Sequence, residues 1–173
     1  MTTLANPTTR SGFDISPFTR AMVIVAGGTM TAICLYAIAR ALLGLTPQLP
    51  HLRYVAVAVH VATALPCVPL GAYLLLARKG TNLHKLLGKV WVALMLATAT
   101  AALFIHSGGG FNWIHIFVPV TYRACWKIVS TARAGNIKAH EGEIMGLFFG
   151  ALMIPGIWAF IGEGRLMNVM LLG

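Results

Sequence analysis

YVAVAVHVATALPCVPLGAYLLLA, residues 54–77, decides the fold. It carries no charged residue and ends abruptly in Arg78-Lys79-Gly80. A helix rises 1.5 Å per residue, so about 20 such residues cross the ~30 Å hydrocarbon layer of a bilayer. Water is absent there, and every backbone N–H and C=O must pair within the segment, which a helix achieves. His60 is buried in this stretch about six residues, or ~9 Å, from its start, and an imidazole in hydrocarbon needs a polar partner.

Four further apolar blocks flank this one, at about 21–43, 87–106, 112–132 and 143–162. The expected fold is therefore all-α, an integral membrane helical bundle with about five transmembrane helices. It forms one domain, 21–173, behind a polar N-terminal arm, 1–20. Pro47 and Pro50 mark a link, Ser107 and Gly108-Gly109-Gly110 a tight turn, and 133–140 a polar loop. The apolar tail, 163–173, is expected in the interface or packed on the bundle. The first block is too long for a signal-peptide core, so no cleavage is expected. Composition agrees: 58% of residues are hydrophobic and 10% charged, whereas soluble domains run near 25% charged.

The formal net charge is +9, and its placement points to lipid headgroups and topology rather than nucleic acid. With five spans, Arg10, Arg20, Arg78, Lys79, Lys85, Lys89, Arg123, Lys127, Arg133 and Lys138 fall on one side. Arg40, Arg53 and Arg165 fall on the other. The positive-inside rule then puts the chain in a bacterial inner membrane with its N-terminus cytoplasmic and its C-terminus periplasmic.

Enzyme motifs are missing: no P-loop, nucleophile elbow, HExxH or CxxC occurs. The four acids, Asp14, Glu141, Glu143 and Glu163, avoid the middle of any span, which argues against a carboxylate-based proton pump or hydrolase. No catalytic residue is assigned. Cys34, Cys67 and Cys125 lie in apolar blocks without ligand spacing and read as packing residues.

The six histidines carry more information. His60, His106 and His115 fall toward the outer side, His84 and His140 toward the inner edge, and His51 in an outer loop. Paired imidazoles at matched depth can ligate the iron of b-type haem, with His60 and His115 as hypothetical iron ligands in an outer layer that His106 could also join. His84 with His140 would make an inner layer. The plain alternative is that helix-end histidines bond to headgroups, water or loop carbonyls. Arg123 and Lys127, one helical turn apart, could hold haem propionates or a quinone headgroup, pair with Glu143, or snorkel to the inner surface. Two small-residue patterns, Ala93/Ala97/Ala101 and Gly146/Gly150, suggest close helix contacts.

From about residue 79 onward, several motifs occur in order: Lys79-Gly80, His84-Lys85, Gly88, Trp91 and Met95, then Phe111-Asn112-Trp113-Ile114-His115. Ala132-Arg133-Ala134-Gly135-Asn136 leads to His140 and Met145, and Gly164-Arg165-Leu166-Met167 follows. In these the chain resembles an uncharacterised family of bacterial multi-pass membrane proteins, a domain-of-unknown-function family. The resemblance implies a helical membrane bundle and no established reaction. The family often has a basic residue directly after the histidine matched to His140, where this chain has Glu141.

The leading functional expectation is a bundle that binds haem b or serves quinone-linked electron transfer through histidines at the two membrane faces. A rival is an accessory or scaffold subunit, using its small-residue faces in a homo-oligomer or against other membrane subunits. A third is a carrier of protons or small solutes, with His60 and Arg123 in the path.

Overall fold

Ser16 opens the first helix: its hydroxyl accepts the Thr19 N–H, and Pro17 supplies the preset φ of a first helical position. The computed structural model describes residues 15–47, 49–106, 110 and 113–173. Most of the N-terminal arm, residues 107–109 of the expected turn, the start of the fourth block at 111–112 and the side chain of His51 lie outside the described residues. The helices are α1 (Pro17–Leu42), α2 (Val55–Leu76), α3 (Asn82–Ala102), α4 (Phe117–Arg133), α5 (Ile137–Gly146), α6 (Ile154–Ile161) and α7 (Leu166–Leu172). A π-helical segment, Leu147–Met153, joins α5 to α6, and single 3₁₀ turns cover Pro50–Arg53 and Trp113–Ile116. No strand occurs among the described residues.

Four helices are long and apolar enough to cross a membrane: α1, α2, α3 and the unbroken 25-residue run Ile137–Ile161. The fourth expected block differs, because α4 has 17 residues and carries Arg123, Lys127 and Arg133. The fifth begins earlier than its apolar pattern suggested. Gly135, at φ +70°, ends α4, and the Asn136 side chain caps the next helix by accepting the Ala139 N–H. The 133–140 loop thus shrinks to a three-residue turn between the two helices. The tail is resolved as α7, which buries Leu166, Met167 and Met170 and packs on α1.

Trp91, Phe148, Leu74 and Leu75 fill the centre of the bundle. Room for them comes from Gly71 and Gly27: a Cβ on Gly71 would sit 2.8 Å from the Phe148 ring, and one on Gly27 2.9 Å from the Ala72 Cβ. Within the chain, no neighbour lies within 4 Å of a Cβ built at Gly146 or Gly150. Large apolar side chains also face outward along the helices, among them Phe18, Val25, Leu35 and Val90. Such a surface is costly in water and suited to lipid. Pro155 lacks the N–H that would reach back along the helix, and the wider π turn precedes it.

Candidate functional site

His60 projects from α2 toward α3. Its Nδ1 lies 3.0 Å from the Thr98 carbonyl oxygen, and a carbonyl only accepts, so Nδ1 carries the proton. In the neutral ring this selects the Nδ1–H tautomer and leaves Nε2 as the acceptor. Nε2 has no hydrogen-bond partner among the described residues. Two hydroxyls lie beside the anchor: Thr98 Oγ1 donates to Thr63 Oγ1 at 2.8 Å, and Thr63 bonds back to the Val59 carbonyl. One level deeper, Trp91 Nε1 donates to the Cys67 carbonyl at 2.9 Å. Together these bonds form a polar seam between α2 and α3.

His60 lines a cavity of about 310 Å³ in the half of the bundle where α2 begins and α3 ends. Aliphatic and thioether side chains such as Met30, Leu65 and Met95 supply most of its wall. The polar residues on the wall are few: His60, Thr98, His115, Thr121 and Arg165. His115 Nε2 donates to the Ile105 carbonyl at 3.2 Å, and its ring stacks on His106 at 6.1 Å. The expected outer trio is thereby gathered at one end, with His60 and His115 on the cavity wall and His106 behind His115.

Arg165 is a cavity residue that the sequence showed only as an outer charge. Its guanidinium carbon lies 5.7 Å from the centroid of the Trp158 ring, a cation–π contact. Gly162 makes that pose possible, because a Cβ there would fall 2.7 Å from Arg165 Nε. Trp158 also packs edge-on against Trp113, at 5.5 Å between centroids.

His84 and His140 meet at the opposite end, beside Lys79, close enough for their charges to interact. His140 Nδ1 donates to the Ile128 carbonyl at 2.9 Å, tying α5 to α4. His84 Nδ1 is buried without a hydrogen-bond partner among the described residues. Glu141 sits 2.9 Å from the Lys79 ammonium. Arg123 and Lys127 join neither cluster. Both lie on the exposed face of α4, with Arg123 3.7 Å from Glu143. No group of three or more metal-ligating side chains forms among the described residues.

Thr98 escaped the sequence reading, and Arg165 entered it only as an outer charge and a motif residue. For Thr98 a signal existed: His84, Trp91 and Thr98 recur every seven residues, on one face of α3. Searches against protein-family models, curated proteins and solved structures each found no match.

Proposed function

We propose that this chain is a multi-pass inner-membrane protein that serves quinone-linked electron transfer by binding a quinol ring beside His60. The carrying observation is that His60, anchored through Nδ1 on the Thr98 carbonyl, lines a largely aliphatic cavity. A quinol hydroxyl donates to the imidazole Nε2, the ring fills the apolar space, and Arg165 offers donors to a ring oxygen. Ligand pockets commonly occupy about 300–1,000 Å³ with a few well-placed polar groups, and this cavity sits at the small end. A single ring with its first tail carbons suits that volume better than a porphyrin with two covered faces.

Five spans fit this reading. Trp113 packs on Trp158 at one end of the Ile137–Ile161 run, and His140 bonds to Ile128 near the other. The Trp113–Ile116 turn and α4 therefore run alongside a helix that is itself long enough to cross. The distribution of Lys and Arg supports a cytoplasmic N-terminus and a periplasmic C-terminus. The cavity then faces the periplasmic half.

Haem b is the second reading. The Nδ1-anchored imidazoles of His60 and His140 leave the nitrogen that an iron ligand would use. Two measurements separate the readings. Purified protein titrated with a short-tailed ubiquinol should show saturable quenching of tryptophan fluorescence, weakened roughly tenfold in His60→Ala, the order expected from one lost hydrogen bond. Absence of saturation in the wild type, or equal affinity in the variant, would sink the quinol reading. An oxidised and a dithionite-reduced visible spectrum would show a Soret band only if haem is held.

A further inference from the structure

The outward face of α4 is unlike the rest of the surface. At 100° per residue, Arg123, Trp126, Lys127, Ser130, Arg133 and Ala134 fall within a stripe of about 120°. All are exposed or half-exposed. Thr121, Ala124, Cys125 and Ile128, on the other side of the same helix, are buried in the bundle. An open groove runs along the stripe between Trp126, Val129, Ser130, Arg133 and Ala134.

The cations on this stripe are unequally served. Arg123 has Glu143 at 3.7 Å. Glu141 is taken by Lys79 at 2.9 Å. No acid among the described residues pairs with Lys127 or Arg133. A cation at the edge of hydrocarbon is costly without a counter-charge, and the described residues supply none. Lys127 lies six residues before the end of α4, a rise of ~9 Å, within reach of a headgroup for a snorkelling side chain.

We infer that Lys127 and Arg133, with the groove that Arg133 and Trp126 line beside them, bind an anionic phospholipid such as phosphatidylglycerol. The phosphate takes the two cations, with Arg133 offering paired N–H donors. An acyl chain lies in the groove against Trp126 and Val129. The site is independent of the cavity at the other end of the bundle and does not rest on the quinol reading.

The test compares wild type with a Lys127→Gln/Arg133→Gln double variant, and uses Arg53→Gln, at the opposite end, as control. Native mass spectrometry of protein taken from mixed phosphatidylglycerol–phosphatidylcholine nanodiscs counts the retained lipid. Wild type and Arg53→Gln should retain phosphatidylglycerol over phosphatidylcholine by on the order of tenfold, and the double variant should lose that preference, in line with the strength of basic side chains at an anionic surface. Equal retention of the two lipids by the wild type, or an unchanged preference in a well-folded double variant, overturns the assignment. If the double variant does not fold, the wild-type lipid count alone decides. A free-phosphate site would instead show phosphate release on washing with no acyl-bearing adduct, which also overturns it.

Discussion

The two ends of the bundle treat their histidines differently. At one end His60 is anchored through Nδ1 and lines a cavity of about 310 Å³. At the other, His140 is anchored in the same way, yet it stands in a crowded group with His84, Lys79 and Glu141. One arrangement has space beside the imidazole and the other has charge. Matched depth and matched residue type, the features that sequence supplies, do not separate these cases. What separates them is whether neighbouring side chains fill the volume beside the ring.

The sharpest way to break this contrast is to fill the packed middle that both ends depend on. Gly71→Leu pushes a side chain into the Phe148 ring and Trp91 Nε1, which would lie 2.8 and 3.0 Å from the new Cβ. Over-packing of this kind costs about 1–3 kcal/mol and sometimes more. The expected outcome is the largest loss of thermal stability in detergent, together with loss of ligand binding. A variant as stable as wild type would mean that the central packing is looser than the Gly71 contacts indicate.

Glu141→Gln comes next and touches one end only. It leaves the Lys79 ammonium without its partner at 2.9 Å, where the two side chains are 20% and 14% exposed. Breaking a fully buried pair costs ~3–5 kcal/mol and an exposed pair little, so a loss of about 1–3 kcal/mol is expected for this intermediate burial. Ligand affinity at the far cavity should stay within a factor of about two, well below the tenfold change that 1.4 kcal/mol represents. A large change in affinity would show that the two ends are coupled.

Exchanging the two anchored histidines sharpens the comparison further. His60→Ala should cut ubiquinol affinity by roughly tenfold with a modest stability change. His140→Ala should remove the tie to the Ile128 carbonyl and leave the affinity alone, at a cost of about 1 kcal/mol. Thermal unfolding and the fluorescence titration, run on both variants, give the two columns of that comparison. If both variants lose affinity equally, the ends share one function.

Much of the fold could be read from apolar run length. Residues 54–77 became α2 with nearly the same bounds, Val55–Leu76. The starts of helices were harder. Ile137–Gly142 holds a lysine, a histidine and a glutamate, so its apolar content is poor, and only the Asn136 cap and the Gly135 turn announce a helix there. For the site, His60 stood out because a buried imidazole requires a partner. The partner itself could not be read, because it is a backbone carbonyl, a group that every residue carries. Arg165 stayed hidden for a different reason: its place over Trp158 depends on the missing Cβ of Gly162, and that matters only once the chain has turned back on itself.

The smallest expected effect is the most informative about how His60 is held. Thr63→Val removes the hydroxyl that accepts from Thr98 Oγ1 at 2.8 Å. Hydrogen bonds between side chains inside membrane proteins average ~0.6 kcal/mol. Thr98 has an escape, since a threonine hydroxyl in a helix can turn to the carbonyl one turn earlier. Thr31, Thr63, Thr100 and Thr131 each make that bond here, at 2.6–2.8 Å. The stability loss should therefore stay at or below about 0.6 kcal/mol, measured by thermal or chemical unfolding. Ubiquinol affinity should hardly move, because the Nδ1 anchor is the Thr98 carbonyl and the helix keeps that oxygen in place. A loss of affinity approaching that of His60→Ala would reverse the assignment: the hydroxyl pair, and not the carbonyl, would then be what orients the imidazole.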